Sequence, residues 1–222
     1  MTATQTQGLL AADRAQSWWL LSRLFLERPE SGLLQDLMAD LTDVPDGSGL
    51  DREVQALRQC LEGEESQTLQ QQLMVEYTRL FRGIKEGFGP PPPFESLYRG
   101  EGLMSNTAQS ARAHYLEAGF GEIVPEAGPQ DHLGAELRFL SLLCYREAEG
   151  WQAGDPDQAL TRRDAQMRFL EQHLMGWLPD YVRRIGVENQ QPFYRAVVDL
   201  TLAFAKQVEA DLEDELDAIQ VA

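Results

Sequence analysis

A chain of 222 residues with 36 acidic against 19 basic side chains carries a formal charge of −17, and it lacks the lysine and arginine surplus that displaces counterions from nucleic acid. Its 43% hydrophobic and 25% charged residues are ordinary for a soluble globular protein with one substantial core. Two cysteines, Cys60 and Cys144, make neither a disulfide framework nor a metal cluster, and no run approaches the ~18 apolar residues of a membrane span.

The opening residues, MTATQTQGLLAADRAQ, have no basic n-region and no continuous apolar h-region, so a cytoplasmic chain without stable membrane insertion is expected. A first helix is expected from about Asp13, a capping side chain, to Arg28, with Leu20, Leu21, Leu24 and Phe25 at helical spacing and Pro29 at the exit. Trp18 and Trp19 are adjacent, so they point about 100° apart and only one can lie at the centre of the buried face. Ser31 can cap a second helix to Leu41. After the TDVPDGSG loop a third runs from Asp51 to Leu61. Ser66 opens a fourth, with Leu69, Leu73, Tyr77, Leu80 and Phe81 on one stripe and Gly83 as its stop. From Glu30 to Glu76 there are eleven acids and two bases, Arg52 and Arg58, which favours a solvated acidic surface.

Pro90 to Pro93 can be neither helix nor central strand, since each ring fixes φ and removes a backbone donor. Helices on both sides make this a rigid extended connector. Ser105 or Asn106 starts the next helix, carrying Ala108, Ala111, Tyr115 and Ala118. Beyond the FGEIVPEAGP loop, a helix beginning at about Asp131 has Leu133, Leu137, Leu140 and Cys144 on a clean apolar stripe. Asp155-Pro156 caps a further helix to about Leu174, with Pro at the first position where its missing donor costs nothing. Trp177 and Pro179 interrupt, and a short piece reaches Ile185. Pro192 opens the last long helix with Phe193, Val197, Leu200 and Phe204 inward, and its EADLEDELD end is expected to fray or stay solvated. The expectation is all-α: a single domain over residues 1–222, a bundle of about eight to ten helices with a proline-rich connecting loop and a pseudo-division at 83–105.

Three constellations could carry chemistry. The proline loop is flanked by aromatics, Tyr77, Phe81, Phe88, Phe94 and Tyr98. Exposed polyproline is the substance of SH3 and WW ligands, but those lie in disordered tails, and a run between helices makes a rigid turn inside the fold. Glu95 and Ser96 can cap or orient the chain beyond the prolines. His132 and Glu136 stand four apart on one helix face, a spacing compatible with a metal ligand pair, while Asp131 suits an N-cap or a first-turn acid facing the helix dipole. Catalytic signatures are absent: there is no GxSxG, no Walker A loop and no GxGxxG after a strand. The glycines at 83, 87 and 89 lead into prolines that cannot supply a phosphate nest. No enzyme is expected, and no cofactor.

Five segments in order, EYTRLFRG (76–83), GPPPPFESLY (89–98), PQDHLGAELRFL (129–140), FLEQHLMGW (169–177) and QPFYRA (191–196), resemble the TorD/DmsD/NarJ-type chaperones of molybdoenzyme maturation, closest to the TorD/DmsD branch. Where relatives have tryptophan near the proline loop, this chain has Phe94 and Tyr98. The resemblance implies a cytosolic all-helical chaperone that binds an apo molybdopterin-dependent oxidoreductase and its twin-arginine signal peptide, as monomer or helix-swapped dimer. It implies a peptide surface of Tyr77, Leu80, Phe81, Pro91, Pro92, Phe94, Glu95, Tyr98, Asp131 and His132, with Glu136 beside them. A client without an export signal is the alternative. Guanine-nucleotide binding has been discussed for the family, but no phosphate loop here supports it. The proline loop and the Asp131-His132 helix start are expected to be adjacent, as two walls of one site.

Overall fold

The structure, a computed structural model, describes all residues except 1, 43, 46, 63–65, 83–89, 189–190 and 221–222. Its helices are α1 (Ala3–Leu26), α2 (Ser31–Thr42), α3 (Asp51–Glu62), α4 (Ser66–Tyr77), α5 (Glu95–Tyr98), α6 (Asn106–Glu117), α7 (Leu133–Ala153), α8 (Pro156–Gln172), α9 (Leu178–Glu188) and α10 (Pro192–Gln220). No strand occurs among the described residues, and the all-α expectation holds. The expected helix stop at Gly83, Phe88 and the glycines at 87 and 89 lie outside the described residues.

The spine is the pair α1 and α7. A Cβ on Gly8 would lie 3.3 Å from the Trp151 Cβ, Ser141 Oγ donates to the Ala15 carbonyl at 2.8 Å, and Gly134 lies beneath Leu26. Low numbers on one helix meet high numbers on the other, so the two run antiparallel. This pairing explains why α1 begins at Ala3 and not near Asp13. Its upstream contacts with α7 are made by Gly8 and Ala15, with Ala11 buried between them, and these small residues produce no stripe of large apolar side chains. Thr2 and Gln5 form a reciprocal capping box, Gln5 N–H donating to Thr2 Oγ1 at 3.2 Å and Thr2 N–H to Gln5 Oε1 at 2.9 Å. Asp13 is therefore a mid-helix residue and caps nothing.

The stripes bury as their spacing requires. Leu133, Leu137, Leu140 and Cys144 of α7 are fully buried, as are Leu37 of α2, Tyr115 of α6 and Leu170 of α8. Of the adjacent tryptophans, Trp18 is core and Trp19 is 44% exposed. α4 passes into a wider π-helical turn at Thr78–Arg82, and Tyr77, Leu80 and Phe81 are all buried. Gly154, with φ 72°, ends α7, and Asp155 caps α8 by accepting the Gln158 N–H at 3.0 Å. Pro179 does not interrupt α9 but lies in its first turn, where an orphan N–H is not missed.

The acidic C-terminus departs from expectation. α10 stays helical to Gln220, and Glu215 turns back to two buried arginines, 3.3 Å from Arg163 Nε and 3.4 Å from Arg14 Nη1. Arg14 and Arg163 lie on α1 and α8, far away in sequence, so no local pattern could mark Glu215 as different from its solvated neighbours.

Candidate functional site

Prolines donate no backbone hydrogen bond but keep their carbonyls, and the loop uses three of them in succession. Pro91 O accepts from Tyr98 Oη at 2.8 Å, Pro92 O from the Phe94 N–H at 2.8 Å, and Pro93 O from the Leu133 N–H at 2.8 Å. The last of these ties the loop to the head of α7. The Glu95 N–H answers by donating to Asp131 O at 2.9 Å, so Phe94 and His132 pair as an isolated antiparallel bridge. Their rings meet edge to face at 5.0 Å. The loop and the Asp131-His132 helix start are thus adjacent.

The two polar residues of that start exchange the roles their positions imply. His132, not Asp131, caps α7: its Nδ1 accepts the Gly134 N–H at 3.1 Å, which requires that nitrogen to be unprotonated. Asp131 instead reaches across to α5, where Oδ2 accepts the Ser96 N–H at 2.9 Å. Phe94, the residue preceding α5, has no side chain able to cap, so the cap is supplied from 35 positions further along.

Beneath this bridge lies a buried cluster of carboxylates. Glu95, Asp131 and Glu136 are all fully buried. Glu95 is held from two sides, by Arg99 Nε at 2.6 Å and by His173 Nδ1 at 2.7 Å. Glu136 Oε2 accepts the Trp177 indole N–H at 3.2 Å, while Glu136 Oε1 and Asp131 Oδ1 have no hydrogen-bond partner among the described residues. Burial first, then the facing charge of Glu95 and that of Asp131, raise the Glu136 carboxyl well above the usual range, against the opposing pull of the Trp177 N–H. Protonation of Glu136 is thus favoured relative to an exposed carboxyl. Tyr115, whose hydroxyl donates to the Gln130 carbonyl at 2.7 Å, is raised by burial and then by Glu136, Asp131 and Glu95.

The expected residues divide into three groups. Phe94, Glu95, Asp131, His132 and Glu136 converge in this knot and are buried. Pro91, Pro92 and Tyr98 form its half-buried outer edge, with Tyr98 packed on Trp177 and Tyr181 at 5.4 Å each. Tyr77, Leu80 and Phe81 are core residues one layer away. Phe81 packs edge-on against Phe25 and Tyr194, and Tyr77 Oη donates to Leu26 O at 2.9 Å. The residues missed are His173 and Trp177. Both stand in the FLEQHLMGW stretch, but their partners are 78 and 41 positions away, so only the motif marked them.

A second polar cluster joins α1, α7, α8 and α10. Glu147, fully buried, accepts from Arg163 Nη2 at 2.6 Å, Gln166 Nε2 at 2.8 Å and Trp151 Nε1 at 3.1 Å, with Arg14 at 3.4 Å. Cys144 donates to Gln166 Oε1 at 3.0 Å, and burial raises its thiol, keeping it protonated. Among the described residues no group of three or more His, Cys, Asp or Glu is disposed to hold a metal ion. Of the pair with metal-ligand spacing, His132 spends Nδ1 on the Gly134 N–H and Glu136 spends Oε2 on the Trp177 indole N–H.

These polar groups tie helices together, and the motif residues converge on a tied loop and not on a nucleophile with its base. The chain belongs to the TorD family of chaperones: the family model described as nitrate reductase delta subunit matches residues 46–183. It is similar to the Chaperone protein TorD of Vibrio cholerae serotype O1 (strain M66-2), 28% identical over 217 residues that cover 95% of this chain and 96% of the relative. The Chaperone protein TorD of Vibrio parahaemolyticus is 28% identical over 210 residues, 91% and 95% of the two chains. That of Photobacterium profundum is 24% identical over 196 residues, 85% and 88%.

Proposed function

We propose that this chain is a cytoplasmic maturation chaperone, without enzymatic activity of its own, for a molybdopterin-dependent oxidoreductase. It binds the apo catalytic subunit and its twin-arginine signal peptide until cofactor is inserted. The observation that carries the reading is similarity along 95% of the chain to relatives named Chaperone protein TorD. The charge of −17 supports it, because a leader with two guanidinium groups is attracted over long range by an acidic partner. So does the stiff loop, whose fixed backbone lowers the ordering cost of any contact made along Pro91, Pro92 and Tyr98. No described helix is long and apolar enough to cross a membrane.

The test is titration of the purified chain with a synthetic twin-arginine leader peptide, followed by co-purification with an apo molybdopterin-dependent oxidoreductase. Micromolar or tighter binding, weakened by salt, is expected. Exposed arginine–carboxylate contacts contribute under ~1 kcal/mol each and buried ones about 1.5–3 kcal/mol, so replacing both arginines by alanine must weaken binding measurably. Capture of neither peptide nor apo-enzyme overturns the reading.

A further inference from the structure

The turn from α5 into α6, residues 99–105, leaves the proline knot directly and holds two large apolar side chains out in water. It opens as a Schellman motif: the Glu101 N–H donates to Ser96 O at 2.8 Å, and the N–H of Gly100, at φ 78°, donates to Leu97 O at 3.4 Å. It closes on the same residue, because the Glu101 carboxylate accepts from Thr107 Oγ1 at 3.0 Å and from the Thr107 N–H at 3.4 Å. Glu101 thus fastens both ends of the arc. Ser96, which takes the Glu101 N–H, is also the residue whose own N–H is bound by Asp131.

At the crown of this arc Leu103 is 42% and Met104 73% exposed, and neither joins the core. A Cβ on Gly100 or on Gly102 would meet nothing within 4 Å, so the backbone leading to the crown stands clear of the helices. Met104 has φ 63°, the one positive φ outside glycine among the described residues. That region crowds a Cβ against its own backbone, and a glycine would sit there without strain. The chain instead places a long, polarisable thioether in a strained and open position, on a fastened loop. Backbone strain of this kind, with no packing inside the fold to explain the side chain, points to a contact made with something else.

A leader peptide joins its charges to an apolar stretch of ~7–15 residues, which needs apolar partners of its own. The outer edge of the proline knot offers few. Pro91, Pro92 and Tyr98 are half-buried, and Tyr98 is packed on Trp177 and Tyr181. Leu103 and Met104 are the next exposed large apolar side chains along the chain. Met104 stands three Cα steps beyond Glu101 and six beyond Tyr98, hence within about 11 Å and about 23 Å of them. A stretch of ~7–15 residues covers roughly 10–22 Å as a helix and more when extended, enough to run from the loop edge to the crown. We infer that Leu103 and Met104 receive the apolar stretch of the client's leader, continuing the surface that begins at the proline loop, and that Met104 is a specificity-determining residue for it. The inference rests on the chaperone reading above. Because the arc is already fastened at Glu101, little ordering cost is left for the contact.

The experiment titrates the full chain with a synthetic peptide carrying two adjacent arginines and a leucine-rich stretch, and with a second peptide in which serines replace the leucines. Met104→Gly is expected to melt no lower than the unaltered chain, because the strain is relieved. It is nevertheless expected to bind the leucine peptide roughly three- to tenfold more weakly, as loss of one partly buried methionine requires. Met104→Gln keeps the side-chain length and the backbone strain and should lose a similar factor, which assigns the loss to apolar contact. Both variants should bind the serine peptide as the unaltered chain does. Undiminished binding of the leucine peptide by both variants overturns the inference alone. So does an equal loss on the serine peptide, or a loss in the glycine variant that accompanies a lowered melting temperature. Failure of the unaltered chain to bind the leucine peptide overturns the leader-binding part of the chaperone reading together with it.

Discussion

Glu136→Gln isolates the energetics of the buried acid cluster. The carboxyl sits fully buried beside Glu95 and Asp131 with its proton affinity raised, so glutamine mimics its protonated form with a neutral amide of nearly the same shape. The amide oxygen can still accept the Trp177 N–H now bonded at 3.2 Å, and its NH₂ can face the Glu95 carboxylate. Near the usual carboxylate value of about 4.3 the two proteins should therefore differ by less than about 1 kcal/mol. They should diverge above it. A carboxyl whose folded form holds its proton more tightly than the unfolded chain makes folding take up a proton. Its stabilising effect is complete at low pH and is lost as pH climbs toward the raised folded value. The loss approaches about 1.4 kcal/mol per pH unit, and the glutamine variant, having no proton to lose there, escapes it. Urea unfolding of both proteins at half-unit steps from pH 5 to pH 8 measures the gap, with other titrating groups cancelling in the difference. A gap that stays constant with pH would refute the raised proton affinity. Glu136→Ala is the destabilising control: it orphans the Trp177 N–H, at about 1–3 kcal/mol, before any cavity cost.

The remaining predictions concern how the helices are tied. Glu147→Ala leaves Arg163, only 1% exposed, with its principal counter-charge removed, and should cost about 3–5 kcal/mol, read as a lowered urea midpoint with unchanged slope. Gly134→Ala places a Cβ 2.5 Å from Leu26 Cγ, where α1 and α7 close on each other, and should cost about 1–3 kcal/mol. Gly32→Ala on α2 meets nothing within 4 Å and should instead stabilise by roughly 0.4–1 kcal/mol, so thermal midpoints of the two variants should move in opposite directions.

Helix positions, the inward stripes and the all-α class were legible because they rest on short-range periodicity. Leu133, Leu137, Leu140 and Cys144 share a face by spacing alone, and Asp155-Pro156 announces α8 within two residues. The order of the motifs marked the Asp131-His132 helix start and the proline loop as belonging together. What the spacing could not supply was direction. Which of Asp131 and His132 caps α7 depends on an α5 whose preceding residue, Phe94, cannot cap, and that demand comes from 35 positions away. Whether a carboxyl is a surface charge or a buried group that favours its proton depends on what covers it. Glu136 and Asp13 are both helical acids in the sequence, yet one is enclosed beside Glu95 and Trp177 and the other lies exposed on α1. Desolvation and pairing are properties of packing between elements distant in the chain. Local pattern therefore set the helices and their faces, while the meeting of α1, α7, α8 and α10 decided which acids are enclosed and paired and which stay accessible.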